Sequence, residues 1–208
     1  GGIPVISVGA RHVHPNVAGV MDYAAVVGGC VSCSTTRGAK LANTNSTGTL
    51  SPNIALIMGD TLRAMQAFDK HMPQEVSRVA PVSVVKDETE ESIILAKALR
   101  QRLRGVIVDA SNTGSGVNPQ VVKEVRARLD LAGYSHVEIF VSGELDARRI
   151  KEFVEQGAPV NAFEVGCYIS AAPPNEFNAD IHEVDGKPVA RRGRIPGITP
   201  NARMVEVM

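Results

Sequence analysis

Four apolar runs end near Val82, Val108, Val141 and Val165, at intervals of 26, 33 and 24 residues, and helical patterns fill the spaces between them. This is the spacing of strand–helix units, whose right-handed crossovers give a parallel sheet. The runs are continuously apolar, as expected of strands that are covered on both faces. An open doubly wound sheet has the same local pattern, but four consecutive units favour a barrel. The sequence therefore predicts an α/β fold of the (β/α) barrel kind.

The individual elements follow from periodicity and from the turn residues between them. Strands are predicted at 3–8, 79–85, 105–108, 137–141 and 162–165, and helices at 17–27, 54–68, 89–103, 119–131 and 146–156. In the helix at 54–68 we expect Ile57, Leu62, Met65 and Phe68 to face the core. Asp185-Gly186, between 179–184 and 187–190, predicts a β-hairpin. We expect a barrel domain at 1–175, and at 176–208 tail strands that belong to a second domain.

Composition excludes several classes of protein. The 22 Lys and Arg residues balance the 22 Asp and Glu residues, whereas a nucleic-acid-binding domain usually carries a basic excess. No stretch approaches the roughly 20 apolar residues of a membrane span, and the start lacks the charged region of a signal peptide. The three cysteines make no disulfide framework, so we expect a cytoplasmic protein. Because the chain starts at Gly1 without Met, we also expect that a front part is missing.

Glycine turns follow two consecutive predicted strands, as Ser142-Gly143 and Gly166-Cys167. Active sites of parallel α/β folds lie at the carboxyl ends of the strands. Glycine lets backbone N–H groups approach an anion without a Cβ in the way, and late barrel loops are a recurrent phosphate site. A lone glycine more often simply ends a strand. Two of them at matching strand ends favour phosphate binding.

Charged residues follow two further strands. Asp109 is interpreted either as a loop or capping carboxylate, or as a catalytic group that holds ribose hydroxyls and stabilises a sugar cation. Arg11, His12 and His14 favour an anion clamp, because arginine offers paired donors to carboxylates and phosphates. In an extended segment the two histidines would share one face. A surface basic turn is the alternative, and no metal site is predicted because no third ligand is nearby.

Two other features are interpreted as having no functional role. Cys30 and Cys33 form a CxxC without the second pair that zinc needs, which favours packing cysteines over a metal or redox site. Gly114-Ser115-Gly116 begins like a dinucleotide motif, but Pro119 stands where a third glycine belongs.

Several segments of the chain resemble those of the archaeal-type nicotinate phosphoribosyltransferases. Arg11-His12-Val13-His14-Pro15 is similar to that family's arginine-rich strand-end motif, and Gly48-Thr49-Leu50 to its Gly-Thr-Met segment. Other matching segments, in chain order, are Gly59-Asp60, Val108-Asp109, Ile139-Phe140-Val141-Ser142-Gly143, Leu145-Asp146, Val165-Gly166 and Asp185-Gly186-Lys187-Pro188. The resemblance spans almost the whole chain in order.

The resemblance implies an incomplete (β/α) barrel of the type II phosphoribosyltransferase kind, whose C-terminal β-hairpin belongs to a second domain. It implies transfer of a phosphoribosyl group from phosphoribosyl pyrophosphate to nicotinate, with Mg²⁺, by a homo-oligomer. Asp109 and Arg11 are the implied catalytic residues. The implied substrate-binding residues are Arg11, His12, His14, Thr49, Asp109, Ser142, Gly143, Gly166 and Cys167.

Some positions depart from the family pattern. Many members couple the reaction to ATP through a histidine soon after Gly-Thr-Met, where this chain has Ser51, Pro52 and Asn53, which argues against ATP coupling. The family's basic loop after the ribose aspartate is replaced by Asn112-Thr113-Gly114-Ser115-Gly116. A divergent homologue that is non-catalytic or uses a different base is therefore the first alternative. A barrel lyase with a Schiff base on Lys86 is the second.

Overall fold

A computed structural model of the chain describes residues 2–109 and 118–203. The chain divides into two compact units, Gly1–Ala172 and Pro173–Met208. In the first unit the strands are β1 (Val5–Ser7), β2 (Ser32–Cys33), β3 (Arg78–Val82), β4 (Leu103–Asp109), β5 (Glu138–Ser142) and β6 (Ala162–Val165). The helices are α1 (Pro15–Val27), α2 (Thr36–Leu41), α3 (Pro52–Met58), α4 (Thr61–His71), α5 (Glu88–Leu99), α6 (Pro119–Leu131), α7 (Ala147–Glu155) and α8 (Cys167–Ser170).

The six strands of this unit form one parallel sheet in the order β2-β1-β6-β5-β4-β3. Consecutive strands are neighbours from β3 to β6, and β6 then pairs with β1, as the last strand of a barrel pairs with the first. β2 and β3 are the two edges of the sheet. The unit is thus an incomplete α/β barrel, as the sequence predicts.

Two apolar layers lie on opposite faces of the sheet. Val106, Val108 and Phe163 belong to the larger one, in which strand residues pack with buried residues of the helices. Residues of the other parity form the smaller layer, which contains Ile6, Val79, Ile107, Phe140 and Ala162. Gly105 gives the Phe140 ring its space, because a Cβ at Gly105 would lie 2.6 Å from Phe140 Cε2. We call this smaller layer the inner layer.

The structure corrects several predicted boundaries. The single helix predicted at 54–68 is wrong, because Gly59 adopts a positive φ of 68° and ends α3. Asp60 then caps α4 by accepting a hydrogen bond from the backbone N–H of Arg63 at 2.7 Å. Ile57 is 85% exposed and is not a core residue, whereas Met65 is fully buried. The strand predicted at 79–85 already ends at Val82.

The second unit contains the predicted hairpin in a shorter form. Its strands are β7 (Glu183–Val184) and β8 (Lys187–Pro188), which pair antiparallel. Asp185 and Gly186 both have positive φ, at 49° and 72°, as a two-residue hairpin turn with matched twist requires. Across the described part of the chain, no helix combines the length and apolar character needed to cross a membrane.

Candidate functional site

A cavity of about 390 Å³ opens at the carboxyl ends of the strands. Four residues predicted from the sequence to be functional, Arg11, Thr49, Asp109 and Ser142, line it together. The other lining residues are Val8, Ala10, Ser34, Thr47, Gly48, Leu50, Pro52, Pro81, Val82, Val84, Ile107 and Glu164. Segments far apart in the sequence therefore meet in one concave site at the end of the sheet where such folds hold ligands.

Three polar side chains form a row across the mouth of the barrel. Asp109 at the end of β4 is in register with Ser142 at the end of β5. The β5–β6 ladder pairs Phe140 with Ala162, so Ser142 and Glu164, two residues further on, are neighbours as well. Side chains alternate between the faces of a strand, and this row follows the inner-layer residues by two positions. The row therefore lies on the inner side of the sheet, at the base of the cavity.

Glu164 is a functional candidate that the sequence did not reveal. Its side chain lies on β6 with a residue exposure of only 8%. Burial raises the pKa of the Glu164 carboxyl, and the nearby Asp109 carboxylate raises it further. A hydrogen bond from Ser142 and the charge of Arg11 act in the opposite direction on this pKa. Inside an apolar strand at 162–165, a glutamate gives no signal of which face it occupies.

The turn after β1 brings Arg11 to the cavity. It is a 3₁₀ turn, Gly9–His12, rather than the extended segment in which His12 and His14 were expected to share a face. Gly9 is buried, and a Cβ there would lie 3.0 Å from the backbone oxygen of Gly166. The turn therefore packs closely against the end of β6.

His12 and Cys167 contact each other near the carboxyl end of β6. The His12 Nε2 atom lies 3.5 Å from Cys167 Sγ, and a Cβ on Gly166 would lie 3.0 Å from His12 Cε1. His14 instead begins α1, where its Nδ1 accepts a hydrogen bond from the backbone N–H of Asn16 at 3.2 Å. Five of the predicted substrate-binding residues are not among the lining residues of the cavity in the described part of the chain, namely His12, His14, Gly143, Gly166 and Cys167.

The two predicted phosphate turns follow neighbouring strands. Gly143 adopts a φ of 114°, which glycine reaches without strain, and its carbonyl accepts from the backbone N–H of Leu145 at 2.9 Å. Gly166 follows β6 and precedes α8. Since β5 and β6 are paired parallel strands, both turns lie at the carboxyl end of the sheet. Phosphate binding by these turns stays a prediction.

Two buried carboxylates outside the cavity hold its walls. Asp22 on α1 accepts from Ser7 Oγ at 2.7 Å, from Ser34 Oγ at 3.3 Å and from the backbone N–H of Thr35 at 2.8 Å. It thereby joins α1 to β1 and to Ser34, which lines the cavity. Sequence reasoning missed this residue, because its partners lie 12 to 15 residues away in β1 and in the segment after β2, where no local pattern signals the contact.

Glu91 on α5 holds the loop after β3 in a similar way. It accepts hydrogen bonds from the backbone N–H groups of Val84, Val85 and Lys86 at 3.0–3.3 Å and from Thr61 Oγ1 at 2.6 Å. The residue is only 3% exposed. Because Val84 lines the cavity, Glu91 fixes one of its walls.

We expect Glu91→Gln to lower the free energy of unfolding by about 1–3 kcal/mol, because the new amide leaves a buried N–H donor without an acceptor. Urea denaturation of the variant measures this loss. Glu90→Gln is the matched control, since Glu90 is exposed on the same helix and pairs with Lys86 at the surface. Equal stability of the two variants would contradict the role assigned to Glu91.

The structure agrees with the interpretation of Cys30 and Cys33 as packing cysteines. Cys33 is buried in β2, Cys30 is half-buried, and both are free thiols. Burial and the Asp22 carboxylate raise the pKa of both thiols, which disfavours reactive thiolates. Asn112-Thr113-Gly114-Ser115-Gly116 lies outside the described residues.

Lys86 does not have the surroundings of a Schiff-base lysine. Its hydrogen bond to Glu90 raises the pKa of the ammonium group, whereas a nucleophilic lysine needs a lowered one. It is also not a lining residue of the main cavity in the described part of the chain. The lyase alternative therefore has no structural support.

Among 2–109 and 118–203, no group of three or more His, Cys, Asp or Glu side chains is placed to hold a metal ion. We therefore assign no protein ligands to Mg²⁺, which stays a prediction that rests on the resemblance.

Comparisons with known proteins agree with this fold. A nicotinate-nucleotide pyrophosphorylase from Pyrococcus furiosus is 40% identical, with a TM-score of 0.81 over 94% of this chain and 50% of that one. The nicotinate phosphoribosyltransferase pncB2 of Mycobacterium tuberculosis is 29% identical over 82% of this chain and 36% of the relative. Human nicotinic acid phosphoribosyltransferase, at 17% identity and a TM-score of 0.58, shares the fold. The chain spans half or less of the length of each.

The match to a protein family covers most of the chain. The family described as quinolinate phosphoribosyl transferase, C-terminal domain, matches residues 2–180, which include the whole incomplete barrel and its cavity. Neither this family nor the relatives distinguish the archaeal type of nicotinate enzyme, which stays a prediction. The chain belongs to the quinolinate phosphoribosyl transferase C-terminal domain family.

Proposed function

We propose that this protein transfers the phosphoribosyl group of phosphoribosyl pyrophosphate to nicotinate, as a step of NAD synthesis. The observation that carries the proposal is that Asp109 and Ser142, neighbours at the ends of β4 and β5, line one cavity together with Arg11. The names of the family and of its relatives supply the reaction class.

The residues suit the chemistry of this transfer. When pyrophosphate leaves C1 of the ribose, positive charge builds on the sugar ring, and a fixed carboxylate such as Asp109 stabilises it. Backbone N–H groups at the Gly143 and Gly166 turns would hold the 5′-phosphate. Arg11 would bind an anionic group of the base or the leaving pyrophosphate.

The charge balance of the cavity favours nicotinate over quinolinate. Among its lining residues in the described part of the chain, Arg11 is the one cation and shares the cavity with the carboxyl groups of Asp109 and Glu164. Nicotinate carries one carboxylate, which one guanidinium can neutralise. Quinolinate carries two, and the second would meet the acidic side of the cavity.

Pyrophosphate release tests the proposal directly. The protein is incubated with phosphoribosyl pyrophosphate and with nicotinate, quinolinate or nicotinamide, and we expect saturable release with nicotinate. Lys86→Ala is the control and should keep full activity, because Lys86 is not part of the proposed site. If calorimetry detects bound phosphoribosyl pyrophosphate but none of the bases releases pyrophosphate, the protein is a non-catalytic homologue and the proposed activity is wrong.

A further inference from the structure

Glu164 differs from the other buried carboxylates of the barrel. Asp22 accepts one backbone and two hydroxyl hydrogen bonds, and Glu91 accepts three backbone bonds and one hydroxyl bond. These donors compensate for the loss of water and give both residues a structural task. The hydrogen bond that acts on Glu164 comes from the Ser142 hydroxyl, and its carboxyl faces the cavity.

A carboxylate in this position is costly to the fold. Burial disfavours the charged form, as the raised pKa of Glu164 shows, and a small apolar residue would end β6 without that cost. A buried carboxyl group that receives few hydrogen bonds from the fold and faces a cavity is a candidate for ligand binding. When it is ionised, the Glu164 carboxylate can only accept hydrogen bonds, so a ligand that binds this form must bring hydrogen-bond donors.

The surroundings define the ligand further. Ser142 on β5 stands between Glu164 on β6 and Asp109 on β4, and Asp109 is near enough to raise the pKa of Glu164. Adjacent strands lie about 4.8 Å apart, so the strands that carry the two acids are roughly 10 Å apart. Two acids across such a gap suit a polyol that donates to both. An anionic base would be repelled here and fits better towards Arg11.

We propose that Glu164 is a second sugar-binding carboxylate, which together with Asp109 accepts hydrogen bonds from the ribose hydroxyls of the phosphoribosyl group. This inference rests on the proposed function and adds a contact residue to it. Glu164 then also faces the positive charge that develops on the ring, as paired carboxylates do in other reactions with a sugar-cation transition state.

Binding of ribose 5-phosphate separates the sugar contact from the phosphate contact. For Glu164→Gln we expect about 10- to 100-fold weaker binding of ribose 5-phosphate by calorimetry, the loss of one hydrogen bond to a charged group. Binding of inorganic phosphate should not change. The wild type should prefer ribose 5-phosphate over its 2-deoxy and 3-deoxy analogues, and the variant should lose one of these two preferences.

Stability and pH distinguish this role from a structural one. Because folding raises the pKa of Glu164, its contribution to stability is present at low pH and is lost as pH rises through the folded-state pKa. Glu164→Gln should therefore unfold at higher urea concentration than the wild type at neutral pH, with a smaller difference in acid. In the wild type, the preference for ribose 5-phosphate over phosphate should increase with pH as Glu164 ionises, a step that Asp109 opposes and Arg11 favours. The Glu164→Gln variant should lack this increase.

The outcomes are distinct. If the wild type binds ribose 5-phosphate and Glu164→Gln keeps its affinity and both preferences, Glu164 is not a sugar ligand, although the proposed function stands. A less stable variant with unchanged preferences would assign Glu164 to structure and also overturn the inference. If the wild type binds neither ribose 5-phosphate nor phosphoribosyl pyrophosphate, the proposed function and the inference both fail.

Discussion

Asp109→Asn should lower kcat/KM for nicotinate and phosphoribosyl pyrophosphate by about 100- to 1,000-fold, the usual effect of removing one preorganised electrostatic group. Asparagine keeps the size of the side chain and removes the charge that would stabilise the sugar cation. Most of the loss should appear in kcat, because the charge on the ring is largest in the transition state. Steady-state pyrophosphate release measures both constants.

Glu138→Gln is the matched control for this variant. Glu138 is a carboxylate at the start of β5, at the opposite end of the sheet from Asp109, where it pairs with Arg104 at the surface. Its activity should equal that of the wild type. An Asp109→Asn variant that is folded by circular dichroism and keeps more than about a tenth of wild-type kcat/KM would refute the catalytic role of Asp109.

Phe153→Ala should lower the free energy of unfolding by about 3–5 kcal/mol, as is typical when a large aromatic side chain is removed from a core. Phe153 on α7 is fully buried, and its ring meets Phe163 of β6 edge to face, with 5.7 Å between the centroids. The pair packs α7 against β6, so the variant leaves a cavity behind the strand that carries Glu164. Urea denaturation measures the loss.

Val154→Ala provides the comparison for this substitution. Val154 follows Phe153 on the same helix and is 53% exposed, so its truncation should change stability little. If Phe153→Ala were as stable as Val154→Ala, the packing of α7 on β6 described above would be wrong.

The elements that the sequence predicted well are those with a strong local signal. The helix predicted at 119–131 is α6, because Asn118 caps it, Pro119 occupies its first position and apolar residues repeat along it. The strand predicted at 162–165 is β6, an apolar run between polar turns. Asp185-Gly186 predicted the hairpin turn between β7 and β8, because both residues readily adopt the positive φ that this turn requires.

Missed elements have weak local signals or depend on distant partners. Ser32–Cys33 forms a strand of two residues, which owes its existence to pairing with β1. The break between α3 and α4 needs only Gly59 and the capping Asp60, which interrupt an otherwise continuous apolar pattern. The two-residue strand is therefore fixed by tertiary contacts, whereas the helix break is fixed locally, and periodicity signals neither of them.

The residues of the candidate site also differ in how clearly the sequence signals them. Asp109 and Ser142 were found because each directly follows an apolar strand, and such positions share one edge of a parallel sheet. Glu164 escaped because its strand has apolar residues on both faces, so alternation does not distinguish the inner face from the outer one. Asp22 and Glu91 escaped because their partners lie in other segments, 12 to 15 residues from Asp22 and 5 to 30 residues from Glu91.

A crystal structure of the protein with ribose 5-phosphate bound tests the central claim most directly. We predict that the phosphate lies against the backbone N–H groups of the Gly143 and Gly166 turns, with the sugar hydroxyls directed at Asp109. A phosphate bound elsewhere on the protein, with both turns empty and the sugar away from Asp109, would contradict the account.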